Sequence, residues 1–228
     1  MRFSHLVLVT FLLAISSFSW ADTPVSFSFI SEDGRYNFDG SFLIKADMDV
    51  VWDVLTDYNH VSNFISNMHS KVKKRDGNDL MVEQDAGGGF LFIQEHLKAT
   101  LDIHEEPQQS ISFNDVSHKA FELYSGVWHL QADPATGEVK VIYDLQATRS
   151  KATPDFLTSD LFSGSLGDLL NETQREIAKR QVRKDKTALE AARRLATAVP
   201  TVVLTSNPTM MITIIPTATV SVERASDN

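Results

Sequence analysis

Glu95, Tyr143 and Arg149 are the residues whose types and spacing could do chemistry together. Along 90–103, Leu91, Ile93, Leu97, Ala99, Leu101 and Ile103 fall on one face of an alternating strand, and Glu95 shares that face. A carboxylate there must be neutral, solvated through an opening, or paired, because an unpaired buried charge is costly. Along 139–149, Val139, Val141, Tyr143, Leu145, Ala147 and Arg149 share one face, which presents a phenol and a guanidinium to the same interior. The three could orient the polar head of a ligand. In an enzyme, Glu95 or Tyr143 would act as acid or base while Arg149 steadies an enolate. Trp128 reads either as an aromatic cavity wall or as an ordinary core ring. Two alternatives stay open: a bulge after Gly87-Gly88-Gly89 would turn Glu95 outward, and Arg149 could simply sit at a rim.

Other chemistries find little support. The chain has no cysteine, which excludes disulfides, thiolate metal sites and cysteine nucleophiles. His60, His69, His96, His104, His118 and His129 follow no metal-ligand spacing, so no metal site is assigned. No Gly-rich loop precedes a helix as phosphate binding requires, and no cofactor is expected. The formal net charge of −9 over 228 residues opposes nucleic-acid binding, which rests on Lys and Arg clusters. The one basic run, Lys71 to Arg75, reads as a solvated strand end.

The elements that must position these side chains can be read from periodicity. Residues 36–46 alternate Tyr36, Phe38, Phe42 and Ile44 against polar neighbours, as a half-buried strand does. Asp47 is a helix N-cap candidate ahead of Val50, Val51, Val54 and Leu55, and Val61, Phe64 and Ile65 mark a second brief helical turn within 59–65. From 70 to 150 the pattern is strand, broken at Asp76-Gly77-Asn78, Gly87-Gly88-Gly89, Glu106-Pro107, Ser117-His118 and 133–137. Six strands with such short connections must be antiparallel neighbours. Pro154 and Asp155 then suit the first turn of a long helix whose stripe runs from Phe156 through Leu166 and Leu170 to Ile177. Gly164 and Gly167 inside it imply a kink or a close approach by sheet or ligand. The expected fold class is α+β, with a long antiparallel meander closed by a C-terminal helix.

Both ends of the chain differ from this pattern. Arg2, the apolar run Leu6 to Ile15 and Ser19-Trp20-Ala21 fit a secretory signal cleaved after Ala21. Its apolar stretch is far short of the roughly 20 residues that span a bilayer. Cleavage would remove one charge, Arg2, and take the net charge from −9 to −10. Residues 195–222 carry no charge, repeat Pro-Thr at 200, 208 and 216, and read as a low-complexity tail, extended or partner-binding. The organisation expected is therefore a signal at 1–21, an extension at 22–35, a domain at 36–194 and a tail at 195–228.

The order of strand, two short helices, meander and long helix is the helix-grip arrangement. The segment from Ile44 through Trp52 to Asp57-Tyr58, with Phe64 and Ile65, resembles the opening of the polyketide cyclase/dehydrase and START-like (SRPBCC) superfamily. Gly126-Val-Trp-His-Leu130, Val141-Ile-Tyr143 and Pro154-Asp-Phe-Leu157 follow in that family's order, so the resemblance covers about 36–182. It implies a cavity between sheet and helix rather than a particular reaction. The function expected is an exported carrier, periplasmic or secreted, for a hydrophobic small molecule or lipid such as a quinone or polyketide-like compound. The candidate ligand-binding residues are Glu95, Trp128, Tyr143 and Arg149. Transient contact with a membrane surface and a protein partner held by the tail are compatible with this reading. Two other readings remain: a cyclase, dehydratase or isomerase working in the same cavity, and an exported interaction protein whose domain is a filled scaffold.

Overall fold

The structure, a computed structural model, describes residues 24–90, 93–150 and 159–198, with the side chains of 88–96, 159–161 and 197–198 outside that description. The signal at 1–21, Pro154, Asp155 and the tail beyond Ala198 thus lie outside the described residues.

Eight strands form one antiparallel sheet: β1 (Ser26–Glu32), β2 (Arg35–Ile44), β3 (Met68–Asp76), β4 (Asp79–Phe90), β5 (Ile93–Glu106), β6 (Ser110–Asp115), β7 (Phe121–Asp133) and β8 (Glu138–Arg149). Their order across the sheet is β1-β2-β8-β7-β6-β5-β4-β3. The hairpin meander from β3 to β8 therefore returns to lie beside β2. Between β2 and β3 the chain forms α1 (Met48–Leu55) and a 3₁₀ segment (Tyr58–Asn63), and the long helix α2 (Ser159–Ala198) follows β8. This is the helix-grip architecture, and all six strands expected between 70 and 150 are present.

Alternation does the positioning. Tyr36, Phe38, Phe42 and Ile44 of β2 and Val139, Val141, Tyr143, Leu145 and Ala147 of β8 are buried on the same face of the sheet. α2 lays Phe162, Leu166, Leu170 and Ile177 into that core at spacings of four, four and seven. The close approach has a visible cause at Gly40 on β2, where a Cβ would overlap Leu170 Cδ1 and come within 2.7 Å of the Phe38 ring. Of the two helix glycines, Gly167 is packed by Phe27 of β1, while Gly164 has nothing within 4 Å. α2 passes both without interruption.

The structure adds detail to four sequence expectations. Residues 22–35, read as an extension, contain β1, which pairs with β2 along its whole length; its exposed Phe27 and Ile30 mask the alternation of an edge strand. The glycines 87–89 do not join strands: they continue β4 and pair with Gln94, Glu95 and His96 of β5, leaving 91–92 between the strands. Asp47 stands at the N-cap of α1, as expected, but its side chain makes no capping hydrogen bond. Its carboxylate is held by Lys184 at 2.8 Å, and its backbone N–H donates to Gln181 Oε1 at 2.9 Å, so both serve the docking of α2. α2 runs through Ala198 and so takes in residues 195–198 of the stretch read as a tail.

The chain divides into two compact units at 187/188. In the second, residues 188–198 are helical and all described side chains there are exposed. The basic run 71–75 lies on β3, an edge of the sheet, with a bulge between Val72 and Lys74; charge and irregularity at an edge oppose pairing with another strand.

Candidate ligand cavity

Beneath α1 and the 3₁₀ segment, the inner face of the sheet does not close against α2 but leaves a cavity of about 120 Å³. That is of the order of the ~150 Å³ apolar void known to take up a benzene ring. Val54, Leu55, Val61, Phe64 and Ile65 form its roof, Leu169 and Thr173 of α2 one side, and strands β3 to β8 the floor. The floor is largely apolar and aromatic, built from Val82, Leu101, Ile103, Ile111, Phe113 and Trp128. Trp128 stacks on Tyr143 with ring centroids 4.2 Å apart, and Phe113 lies 6.3 Å from the same tyrosine. Among the described residues that line the cavity, Asp57 is the only charged one.

Two of the four proposed site residues therefore meet at this cavity, Trp128 and Tyr143. Arg149 shares the face of Tyr143, as the alternation requires, but six residues along a strand is about 20 Å. Its backbone N–H donates to Gly34 O at 2.7 Å, and it is not among the described residues that line the cavity. Glu95 pairs with Gly88 of β4 in the register of β5, and its side chain lies outside the described residues.

A buried carboxylate does occur on that face of β5, ten residues further on. Glu105 is 6% exposed, beyond Leu101 and Ile103 in the same alternation. The guanidinium of Arg75 on β3 grips it with two bonds, Nη1 to Oε2 at 2.9 Å and Nη2 to Oε1 at 3.2 Å. The Tyr58 hydroxyl donates to Oε1 at 2.9 Å. Burial, and then the Glu105 carboxylate, push the Tyr58 hydroxyl far above the usual phenol range, so it acts as a donor. Tyr58 also lines the cavity, so this network pins the roof to the floor. Ser70 Oγ donating to Tyr58 O and Val72 N–H donating to Asn59 Oδ1 at 2.9 Å add to the same seam.

A second polar site lies on the floor. Tyr124 and Tyr143 both line the cavity there. Burial pushes Tyr124 up to about 12 and holds Tyr143 well above the ordinary phenol value. Neither can serve as a phenolate base near neutrality; both are hydrogen-bond donors. Sequence periodicity missed Glu105, Arg75 and Tyr124. The first could have been found by carrying the alternation of 97–103 one step further, whereas the other two depend on which strands are neighbours.

The roof is tied to α2 through Arg180. Its Nη2 bonds Asp57 Oδ2 at 2.8 Å, its Nε bonds Glu176 Oε1 at 2.9 Å, and its guanidinium lies 5.4 Å from the Phe64 ring centroid. Burial pushes both carboxyls up, yet hydrogen bonds from His60 and Arg180 to Asp57, and from Arg180 and Lys179 to Glu176, outweigh it and hold both below their ordinary values. In the unfolded chain these groups protonate near pH 4, so on acidification it binds protons before the folded one does. The stability they contribute is present above that pH and is lost as pH falls through the depressed folded values. Thermal melts between pH 5 and pH 3 should therefore show a steeper loss of Tm for the parent than for Arg180→Met, in which neither carboxyl retains that partner.

Residues 44–176 match the family described as polyketide cyclase / dehydrase and lipid transport. This chain belongs to that family. Solved structures similar to this family member include human STARD10, with a TM-score of 0.57 and 10% identity over 75% of this chain and 76% of that one. A STAR-related lipid transfer protein from Xanthomonas axonopodis matches at 0.54 and 16% identity, over 67% of this chain and 98% of that one. The Zhui aromatase/cyclase from Streptomyces sp. R1128 matches at 0.54 and 14%, over 64% and 95%. At these identities the likeness establishes the shared fold. Among curated proteins none matches the sequence.

Proposed function

We propose that this family member is an exported carrier that holds a nonpolar small molecule or lipid in the cavity under the 3₁₀ segment. The observation that carries this reading is the cavity itself, walled by apolar and aromatic side chains, with its roof fastened to the sheet and to α2 by polar contacts. A filled scaffold would have no need of such a void. The cyclase or dehydratase reading needs an acid or base in the cavity, and the two floor tyrosines are held protonated, which suits binding better than proton abstraction. Export rests on residues 1–21, whose positive start, apolar run and small residues at Ser19 and Ala21 form a cleavable signal.

The test is native mass spectrometry of the protein purified from its own compartment, followed by organic extraction. A stoichiometric nonpolar compound, on a chain whose N-terminus is Asp22, is the expected result. A clean unliganded mass, with no uptake of a hydrophobic probe, would overturn the carrier reading in favour of an interaction protein.

A further inference from the structure

Phe113, Tyr124 and Trp128 lie on the inner face of the sheet yet are only half-buried, while Ile111, Leu130 and Tyr143 on the same face are buried. All three half-buried rings line the cavity. Register explains how they come together. Trp128 of β7 stands opposite Ile111 of β6 on one side and Tyr143 of β8 on the other, and its ring stacks on Tyr143 with the planes 25° apart. Phe113 stands opposite Gly126, and its ring takes the space that a side chain there would need: a Cβ on Gly126 would come within 2.7 Å of Phe113 Cζ. Without that side chain, Phe113 lies 6.3 Å from the Tyr143 centroid with the planes 22° apart, and 5.6 Å from the Tyr124 centroid. The floor is thus a run of touching rings from Tyr124 through Phe113 and Tyr143 to Trp128.

We infer that the cavity selects a single planar aromatic ring, a benzene derivative or a heterocycle of like size, over saturated rings and over acyl-chain lipids. Size is the first argument. The cavity holds about 120 Å³, against the ~150 Å³ void that takes up one benzene ring and the roughly 300 Å³ or more of ordinary ligand pockets. Its roof is fastened on two sides, by Tyr58 to Glu105 and by Asp57 to Arg180, which opposes enlargement. The second argument is the chemistry of the floor. Any hydrocarbon gains by burial, but an aromatic ligand gains further from each ring that it meets offset-stacked or edge to face, because the electron-rich face of one ring attracts the electron-poor edge of the other. Two such contacts multiply to about tenfold in affinity. A chair-shaped saturated ring is thicker and has no such face. This inference rests on the carrier reading and narrows it.

The test uses the full chain, stripped of bound compounds, with toluene and methylcyclohexane, which share one carbon skeleton. Affinities come from isothermal titration calorimetry, each divided by the compound's hexadecane–water partition coefficient so that plain hydrophobicity cancels. The corrected affinity for toluene should be at least tenfold the greater. Phe113→Leu and Trp128→Leu, which each remove one ring from the floor, should each lower that ratio at least threefold. The same chain, incubated with dioleoyl phosphatidylcholine vesicles and then separated from them, should carry no phospholipid in its native mass spectrum. A corrected ratio near one in the parent, a ratio that neither variant lowers, or a stoichiometric phospholipid overturns the inference while the carrier reading stands. Failure of toluene, methylcyclohexane and phospholipid alike to bind overturns both.

Discussion

Arg75→Met should cost the fold about 3 kcal/mol, because it leaves the Glu105 carboxylate buried with only a phenol for company. For a domain of this size that corresponds to a fall of about 6 to 12 °C in Tm. The Arg75 side chain is itself 45% exposed, which places the cost at the lower end of what breaking a buried pair involves. The pair as a whole is worth less than either break suggests, since two charges have been taken from water to make it. Arg75→Met combined with Glu105→Leu should therefore recover most of the lost Tm, and Tyr58→Phe alone should cost about 1 kcal/mol. Thermal melts of the four proteins decide this. If Arg75→Met melts with the parent, water reaches Glu105 and the network does not hold the roof to the floor.

Where an element's own periodicity determined which side faced inward, the sequence was enough. The faces of β2 and β8, the six-strand meander and the stripe of α2 could all be read, because burial on one side of a strand or helix leaves its mark on every second or every third to fourth residue. That logic brought Trp128 and Tyr143 to the cavity. It failed where neighbours decide. Arg75 meets Glu105 across β3, β4 and β5, a contact fixed by register and strand order that no local pattern records. The glycines at 87–89 carry the composition of a turn, yet they pair within β4, since glycine permits a turn without requiring one. Asp47 carries the signature of a cap, but a lysine on a helix distant in sequence holds its carboxylate.

Ile111→Phe should abolish ligand binding while leaving the fold close to the parent in stability. Ile111 lies on the inner face of β6, 3% exposed, directly across from Trp128 in the register and lining the cavity. Adding bulk to a close-packed core costs about 1 to 3 kcal/mol, because neighbours are forced off their preferred rotamers. Here the added ring has a void to enter, and dispersion attraction between the ring and the walls of that void offsets the cost. A Tm within about 4 °C of the parent is expected on that balance. Loss of the extracted compound from the native mass spectrum should accompany it, with probe affinity down at least tenfold. Leu101→Phe, which fills the same space from β5, guards against a local failure of packing at β6. Should both variants fold and still retain the compound in stoichiometric amount, the occupant is held elsewhere, and the cavity beneath the 3₁₀ segment is not the carrier's site.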